Sequence, residues 1–422
     1  MTTAHGRVSA AALALLLTAS ASALGAGSAT AADGSTVQLP VLPSQLDADA
    51  ACTAGSGQRA TDVPWEQVSL QLSRTWEFAS GSGVTVGVVD TGVSTDAPAL
   101  NGRVTAVGDA GTDCVGHGTF VAGLVGAAVE DGVRFAGVAQ QARILAVRGG
   151  DARGKVTADQ VADGIRAAVD GGAQVVTVSA ALAGDTAALR SAVALAAKKD
   201  VLVVAAAVPD TPATATSATD SPPARDYYPA ADDGVLSVLD VDVDGKRPTG
   251  AYTTDSASIA APGDGVVGIG PAKDGHYIGS GASLAAGFVA GTAALVRSLH
   301  PDLTAAQTAT LLRTSAYPAD VPRLDPYAAV TSVLGAGSAP VRDDAGSPVR
   351  LPADKAAGPL RRALWPASAG LAVIIAVIWL GLVLPRGRRL GWRPSRPEST
   401  QGTEGAASSV PVGAGVQGTT ES

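Results

Sequence analysis

The sequence predicts an α/β domain, a parallel sheet with helices on both faces. Short valine-rich apolar runs recur at "VTVGVVD" (84–90), "RILAVR" (143–148), "QVVTVSA" (174–180), "VLVVAAA" (201–207) and "VLSVLDV" (235–241). Such runs suit strands buried on both faces. Helical patterns lie between them, at "TFVAGLVGAAVE", "TADQVADGIRAAVDGG" and "DTAALRSAVALAAKKD". Strand and helix in alternation imply parallel pairing through right-handed crossovers.

The segments follow in order. His5 and Arg7 precede the apolar run "VSAAALALLLTASASA", and small residues follow it. That is the pattern of a secretory signal peptide over residues 1–32, cut near Ala31 or Ala32, with Ala23 as a second site. Residues 33–80 are polar and irregular, with Pro40, Pro43 and Pro64. They read as an extension wrapped on a larger body at 81–335. Within that body Asp185 and Thr186 start a helix and Gly171–Gly172 stop one. Two further helices are expected at 282–300 and 304–316, rich in alanine and glycine and therefore closely packed on the sheet.

Residues 336–362 carry Pro340, Pro348, Pro352 and Pro359 and read as a stalk. An uncharged apolar stretch then runs from Ala363 to Pro385. About 20 residues at ~1.5 Å rise span a ~30 Å hydrocarbon layer. Arg386, Arg388, Arg389 and Arg393 follow, against Arg361 and Arg362 before it, which places the tail at 386–422 in the cytoplasm. The expectation is a single-pass cell-membrane protein with its bulk outside the cell.

The net charge of −8 argues against a nucleic-acid partner. No cysteine or histidine cluster has metal-ligand spacing and no phosphate loop is present, so neither metal nor cofactor is expected. The chain has two cysteines, Cys52 and Cys114. In an exported domain an even count implies a disulfide, with unpaired thiols as the alternative. The bond would pin the extension beside His117.

Three residues carry the candidate chemistry. Asp90 ends the first buried-looking strand, where parallel sheets place functional groups; alone it reads equally as turn chemistry. Past the signal peptide the chain has three histidines, His117, His276 and His300. His300 reads as a helix C-terminal cap and His276 as part of a surface turn. His117 opens a helix between Gly116 and Gly118, which leaves room for a substrate backbone. Ser283 heads a long apolar helix, so its N–H lacks a helical partner and suits an oxyanion; alone it reads as an N-cap.

In this order Asp90, His117 and Ser283, with "VVDTGV", "GHGTFVAG", "GVAQQARILAVR", "VVTVSAA", "AAPGDGV" and "GASLAAGFVAGTAALV", resemble the subtilisin-type (subtilase) serine proteases. The likeness covers about residues 80–335. The extension, the cysteine pair and the C-terminal anchor resemble the mycosins, membrane-anchored subtilases of actinobacterial type VII secretion systems. The resemblance implies a subtilisin-like parallel sheet. It implies that Ser283 attacks a peptide carbonyl, His117 moves the proton and Asp90 holds the ring. It places Ser179 and Ala180 along the cleft, where a polypeptide substrate binds as an added strand. The implied partners are the cell membrane and a type VII secretion membrane complex.

The sequence departs from that pattern where subtilases carry an asparagine whose amide donates to the oxyanion. Here "VLVVAAAVPD" puts Val208 and Pro209 in place of Gly and Asn. Pro209 has no donor, and an ionised Asp210 would repel an oxyanion. Ala282 and Gly287 also replace an expected Thr and Pro. Asn101 is the chain's single asparagine and is poorly placed to substitute. Thr211, Thr214 or Ser217 are candidate replacements, and the Ser283 N–H remains. In subtilisin itself, loss of the asparagine costs about 100- to 1000-fold in turnover. The reading is therefore a slow or selective endopeptidase, with an inactive scaffold or peptide-binding homologue as the alternative.

Overall fold

The computed structural model describes residues 38–210, 224–272, 275–332, 372–379 and 383. Seven strands form one sheet: β1 (Thr85–Asp90), β2 (Val104–Ala106), β3 (Arg143–Arg148), β4 (Val175–Val178), β5 (Leu202–Ala206), β6 (Leu236–Val241) and β7 (Ile259–Pro262). Their order is β2-β3-β1-β4-β5-β6-β7, and every pairing is parallel. The five valine-rich runs supply β1 and β3 to β6. The edge strands β2 and β7 have three and four residues, too short to leave a pattern. An antiparallel pair, β8 (Val266–Ile269) and β9 (His276–Gly279), stands apart and was not expected.

Among the described residues of the body the α-helices are α1 (Trp65–Ser69), α2 (Leu72–Thr75), α3 (His117–Gly126), α4 (Ala158–Asp170), α5 (Ala187–Lys198), α6 (Ala282–Leu299), α7 (Ala305–Thr314) and α8 (Pro326–Thr331). They cover both faces of the sheet. Alternate residues of a strand point to opposite faces. Thus Val86 and Val88 join the cluster of Phe120, Leu124 and Val289 from α3 and α6. Val89 joins Val161, Ile165 and Leu189 from α4 and α5 on the other face. At Gly87 a Cβ would lie 2.9 Å from the Ala168 Cβ, so the missing side chain sets how closely α4 approaches.

Local signals explain most boundaries. Thr157 caps α4 and Thr186 caps α5, each accepting from the backbone three residues on. α3 stops at Gly126, four residues before its apolar pattern does. The reason is tertiary: Gly137, Val138 and Ala139 donate to the Ala127, Leu124 and Val125 carbonyls, and so close the helix end. α6 is apolar enough to span a membrane, but 89% of its span is buried in the body. It is the core helix of the fold.

The extension is more ordered than expected. Trp65 Nε1 donates to the Gly265 carbonyl at 3.0 Å and Trp76 Nε1 to the Val138 carbonyl at 2.9 Å. Residues 40–42 run beside β9 through Leu42 N to Ile278 O and Ile278 N to Pro40 O, both 2.9 Å. The expectation for His276 is corrected here. It lies in β9 with 1% of its surface exposed, not in a surface turn. Its N–H donates to Gln58 O at 2.7 Å, and its Nδ1 accepts from Ala60 N at 3.4 Å. Pairing with the distant extension buries it, and no local pattern announces such a partner.

Cys52 and Cys114 form a disulfide. Thr53 adds a backbone bond to Cys114 O at 2.9 Å and a hydroxyl bond to Val115 O at 2.6 Å. The expected signal peptide, stalk and tail (1–32, 336–362 and 386–422) lie outside the described residues. Of the expected span at 363–385, residues 372–379 are helical, with Val373, Ile375 and Ile378 exposed.

Candidate active site

The sheet order reverses beside β1, whose neighbours are β3 and β4. Ligand crevices in such sheets open at the strand carboxyl ends at this reversal. Asp90 is the last residue of β1. His117 is the first residue of α3 and Ser283 the second of α6, after the N-cap Gly281. Three remote segments therefore deliver one side chain each to the same place.

The side chains form a hydrogen-bonded line. His117 Nδ1 stands 2.8 Å from Asp90 Oδ2 and 3.0 Å from Oδ1. His117 Nε2 stands 3.0 Å from Ser283 Oγ. Asp90 Oδ1 also accepts from Thr91 N at 2.6 Å, and Oδ2 accepts from the Ser179 hydroxyl. Burial alone would raise the Asp90 carboxyl. The His117 charge, then the hydrogen bonds from His117, Ser179 and Thr91, outweigh it and hold Asp90 below the ordinary range.

The glycines around His117 serve the fold itself, a correction to the expectation that they make room for substrate. A Cβ at Gly118 would fall 2.0 Å from the Gly92 carbonyl oxygen. Only glycine lets α3 press onto the end of β1 and bring His117 within reach of Asp90. Gly116 has φ of +97°, and a Cβ there would meet Pro271 at 2.8 Å.

Asp113 was missed in the sequence. Its Oδ1 accepts from Thr91 Oγ1 and Gly116 N, both at 2.8 Å. Its Oδ2 accepts from Thr119 N at 2.9 Å and Thr119 Oγ1 at 2.7 Å. One carboxylate thus ties the β1 exit to the first turn of α3, where negative charge is favoured. The available signal was an acidic residue just ahead of a helix start.

Ser179 and Ala180 line a cleft of about 540 Å³ together with Asp90, His117, Lys155 and Asp210. Ser44 and Gln45 of the extension form part of its rim. Ala180 and Ala181 are half-buried. Among the described residues they make no backbone hydrogen bond, which leaves a strand-like edge unpaired. The Ser179 hydroxyl bond to Asp90 was not foreseen.

The expected gap at Pro209 is filled in an unforeseen way. Val208 is buried, and Ala207 N still donates to Val238 O at 2.8 Å, so the chain holds the sheet path to the end of β5. Asp210 then turns back onto α6. Its Oδ1 accepts from Ser283 N at 3.1 Å and its Oδ2 from Ser283 Oγ at 2.8 Å. The Ser283 N–H, expected to be open, therefore has a carboxylate partner. Thr211, Thr214 and Ser217 lie outside the described residues. No group of three or more metal-ligating side chains occurs among the described residues.

A line of carboxylate, imidazole and hydroxyl at the carboxyl ends of a parallel sheet defines a serine-peptidase type of site. The subtilase family model matches residues 81–343, more than half the chain, and the protein belongs to that family. Among curated proteins it is 32% identical to Mycosin-3 of Mycobacterium tuberculosis, over 83% of this chain and 90% of that protein. It is 31% identical to Mycosin-4 of the same organism, over 86% and 88%. Among solved structures it is similar to the MycP3 protease from the type VII (ESX-3) secretion system. That match has a TM-score of 0.57 and 30% identity, covering 69% of this chain and 95% of the other.

Proposed function

We propose that this protein is a membrane-anchored serine endopeptidase. Ser283 Oγ attacks a peptide carbonyl and His117 Nε2 takes its proton and returns it to the leaving amine. Asp90 holds the ring tautomer. The observation that carries this reading is the unbroken line Asp90–His117–Ser283, with contacts of 2.8 and 3.0 Å. A polypeptide substrate lies in extended form along Ala180 and Ala181, adding a strand to that free edge. The charge pattern around 363–385 supports a single span, with residues 33–362 outside the cell and 386–422 in the cytoplasm. The disulfide supports an extension that stays attached. The likeness to proteases of type VII secretion supports work beside such a membrane complex.

A second reading, a silent homologue kept as a scaffold, is favoured by Asp210 on the Ser283 N–H. Cleavage separates the two. The purified full chain is incubated with a mixture of proteome-derived peptides, and new termini are read by mass spectrometry. The peptidase reading expects slow cleavage that disappears in Ser283→Ala. The same termini in both proteins, or none in either, would favour the scaffold.

A further inference from the structure

An oxyanion site needs donors and no resident negative charge. Here the position is filled from within. Asp210 places one carboxylate oxygen on the Ser283 N–H and the other on the Ser283 hydroxyl. A cleaved peptide's terminal carboxylate would make the same two contacts. Ser283 itself has no exposed surface. A Cβ at position 281 would fall 2.1 Å from Asp210 Oδ1, so the bare Gly281 supplies the space the carboxylate uses.

The proton count around Ser283 points the same way. A serine hydroxyl has one proton. With Asp210 as a carboxylate, Ser283 donates it to Oδ2, so it is not available to His117 Nε2 at 3.0 Å. An Nε2 that donates to Ser283 Oγ, while Nδ1 donates to Asp90, then completes the pattern. That is an imidazolium between two carboxylates, with Asp210 Oδ2 only 3.5 Å from Nε2. A charged ring is no base.

We infer that Asp210 is an internal inhibitor of this site, its carboxylate filling the oxyanion position and holding His117 in its charged form until a substrate carbonyl displaces it. The inference rests on the reading of Ser283 as the nucleophile. Burial pulls the His117 ring down, but Asp90 first, then Asp210, outweigh it and hold the ring well above its ordinary value. Among the described residues, the charged groups around Asp210 are few. His117 faces it from α3, with Asp90 behind from β1. Asp240 of β6 feels its charge and pairs with Arg247. Lys155 lines the same cleft.

The test is the rate at which a fluorophosphonate modifies the full-length protein, measured from acid to alkaline pH. In this reaction the Ser283 Oγ–P bond forms, the P–F bond breaks, fluoride leaves and the proton passes to His117. Asp210→Asn removes the charge and adds an amide donor. It should raise the rate at pH 7 by about 100-fold, the worth of one oxyanion donor. Asp210→Ala removes the charge alone and should raise it by less. Both should move the pH midpoint downward, since His117 loses one of its carboxylates; a purely structural role would leave that midpoint unmoved. The wild-type protein gives a readout that needs no substitution: its His117 ring should show the imidazolium signal by nitrogen NMR at pH 7.

Wild type reacting as fast as both variants, or a neutral His117 ring, overturns the inhibition while the peptidase reading stands. No reaction at any pH in any of the three proteins overturns both.

Discussion

Asp113 Oδ1 accepts a hydrogen bond from Thr91 Oγ1 at 2.8 Å, joining the residue after Asp90 to the loop before His117. The same carboxylate takes Gly116 N and both donors of Thr119. It fixes the distance between β1 and α3, and with it the Asp90–His117 contact. Asp113→Ala leaves buried donors unpaired and should cost about 3 kcal/mol of stability. Thermal unfolding of the variant checks it, and a midpoint within a degree of wild type would show that the clamp matters little.

Ser179 donates to Asp90 Oδ2, the oxygen that also holds His117. Ser179→Ala removes one orienting bond and leaves the Ala180–Ala181 edge intact. Turnover should fall about tenfold, the equivalent of one hydrogen bond, with little change in KM. Steady-state kinetics on a peptide found by the cleavage screen reads the split. A rise in KM alone would make Ser179 a substrate contact instead.

Glu66 of α1 is fully buried, and its Oε2 has no hydrogen-bond partner among the described residues. Burial raises its carboxyl from 4.5 to about 7, although its own backbone N–H and that of Val267 oppose this. A raised carboxyl keeps its proton longer in the folded state than in the unfolded one. Stability therefore falls as pH climbs from the unfolded value to about 7, then levels. Glu66→Gln should leave stability at pH 4 nearly unchanged and add about 3 kcal/mol at pH 8. Denaturant midpoints at the two pH values check this, and equal effects at both would contradict it.

The Cys52–Cys114 bond closes a loop of 62 residues. Constraining a chain of that length is worth roughly 4 kcal/mol. Reduction should lower the unfolding temperature. It should also loosen residues 44–45 at the cleft rim, seen as faster amide exchange there. Unchanged exchange would show that the hydrogen bonds at Thr53 and Ile278 suffice.

Legibility in the sequence followed the range of the interactions. The strands at 85–90 and 143–148 were legible because burial on both faces demands continuous apolar residues. Asp90, His117 and Ser283 each sit at an element end and alone read equally as turn or cap chemistry; their order and flanking motifs, which resemble those of subtilases, made them a set. What was hidden depends on remote chain. His276 looked like a turn because its cover, Gln58 and Ala60, lies more than 200 residues away. α3 ended early because residues 137–139 took its last carbonyls. Asp210 was visible as a charge in the wrong place, but only the turn after Val208 shows which atoms it meets.

The proposed function requires that Asp90, His117 and Ser283 form a working nucleophilic centre. The most direct measurement is peptide mapping of the fluorophosphonate adduct on Asp210→Asn protein, beside the same protein carrying Ser283→Ala or His117→Ala. One adduct is expected, on the peptide that contains Ser283, absent from both double variants. No adduct, or an adduct that survives the loss of His117 at an undiminished rate, would contradict it.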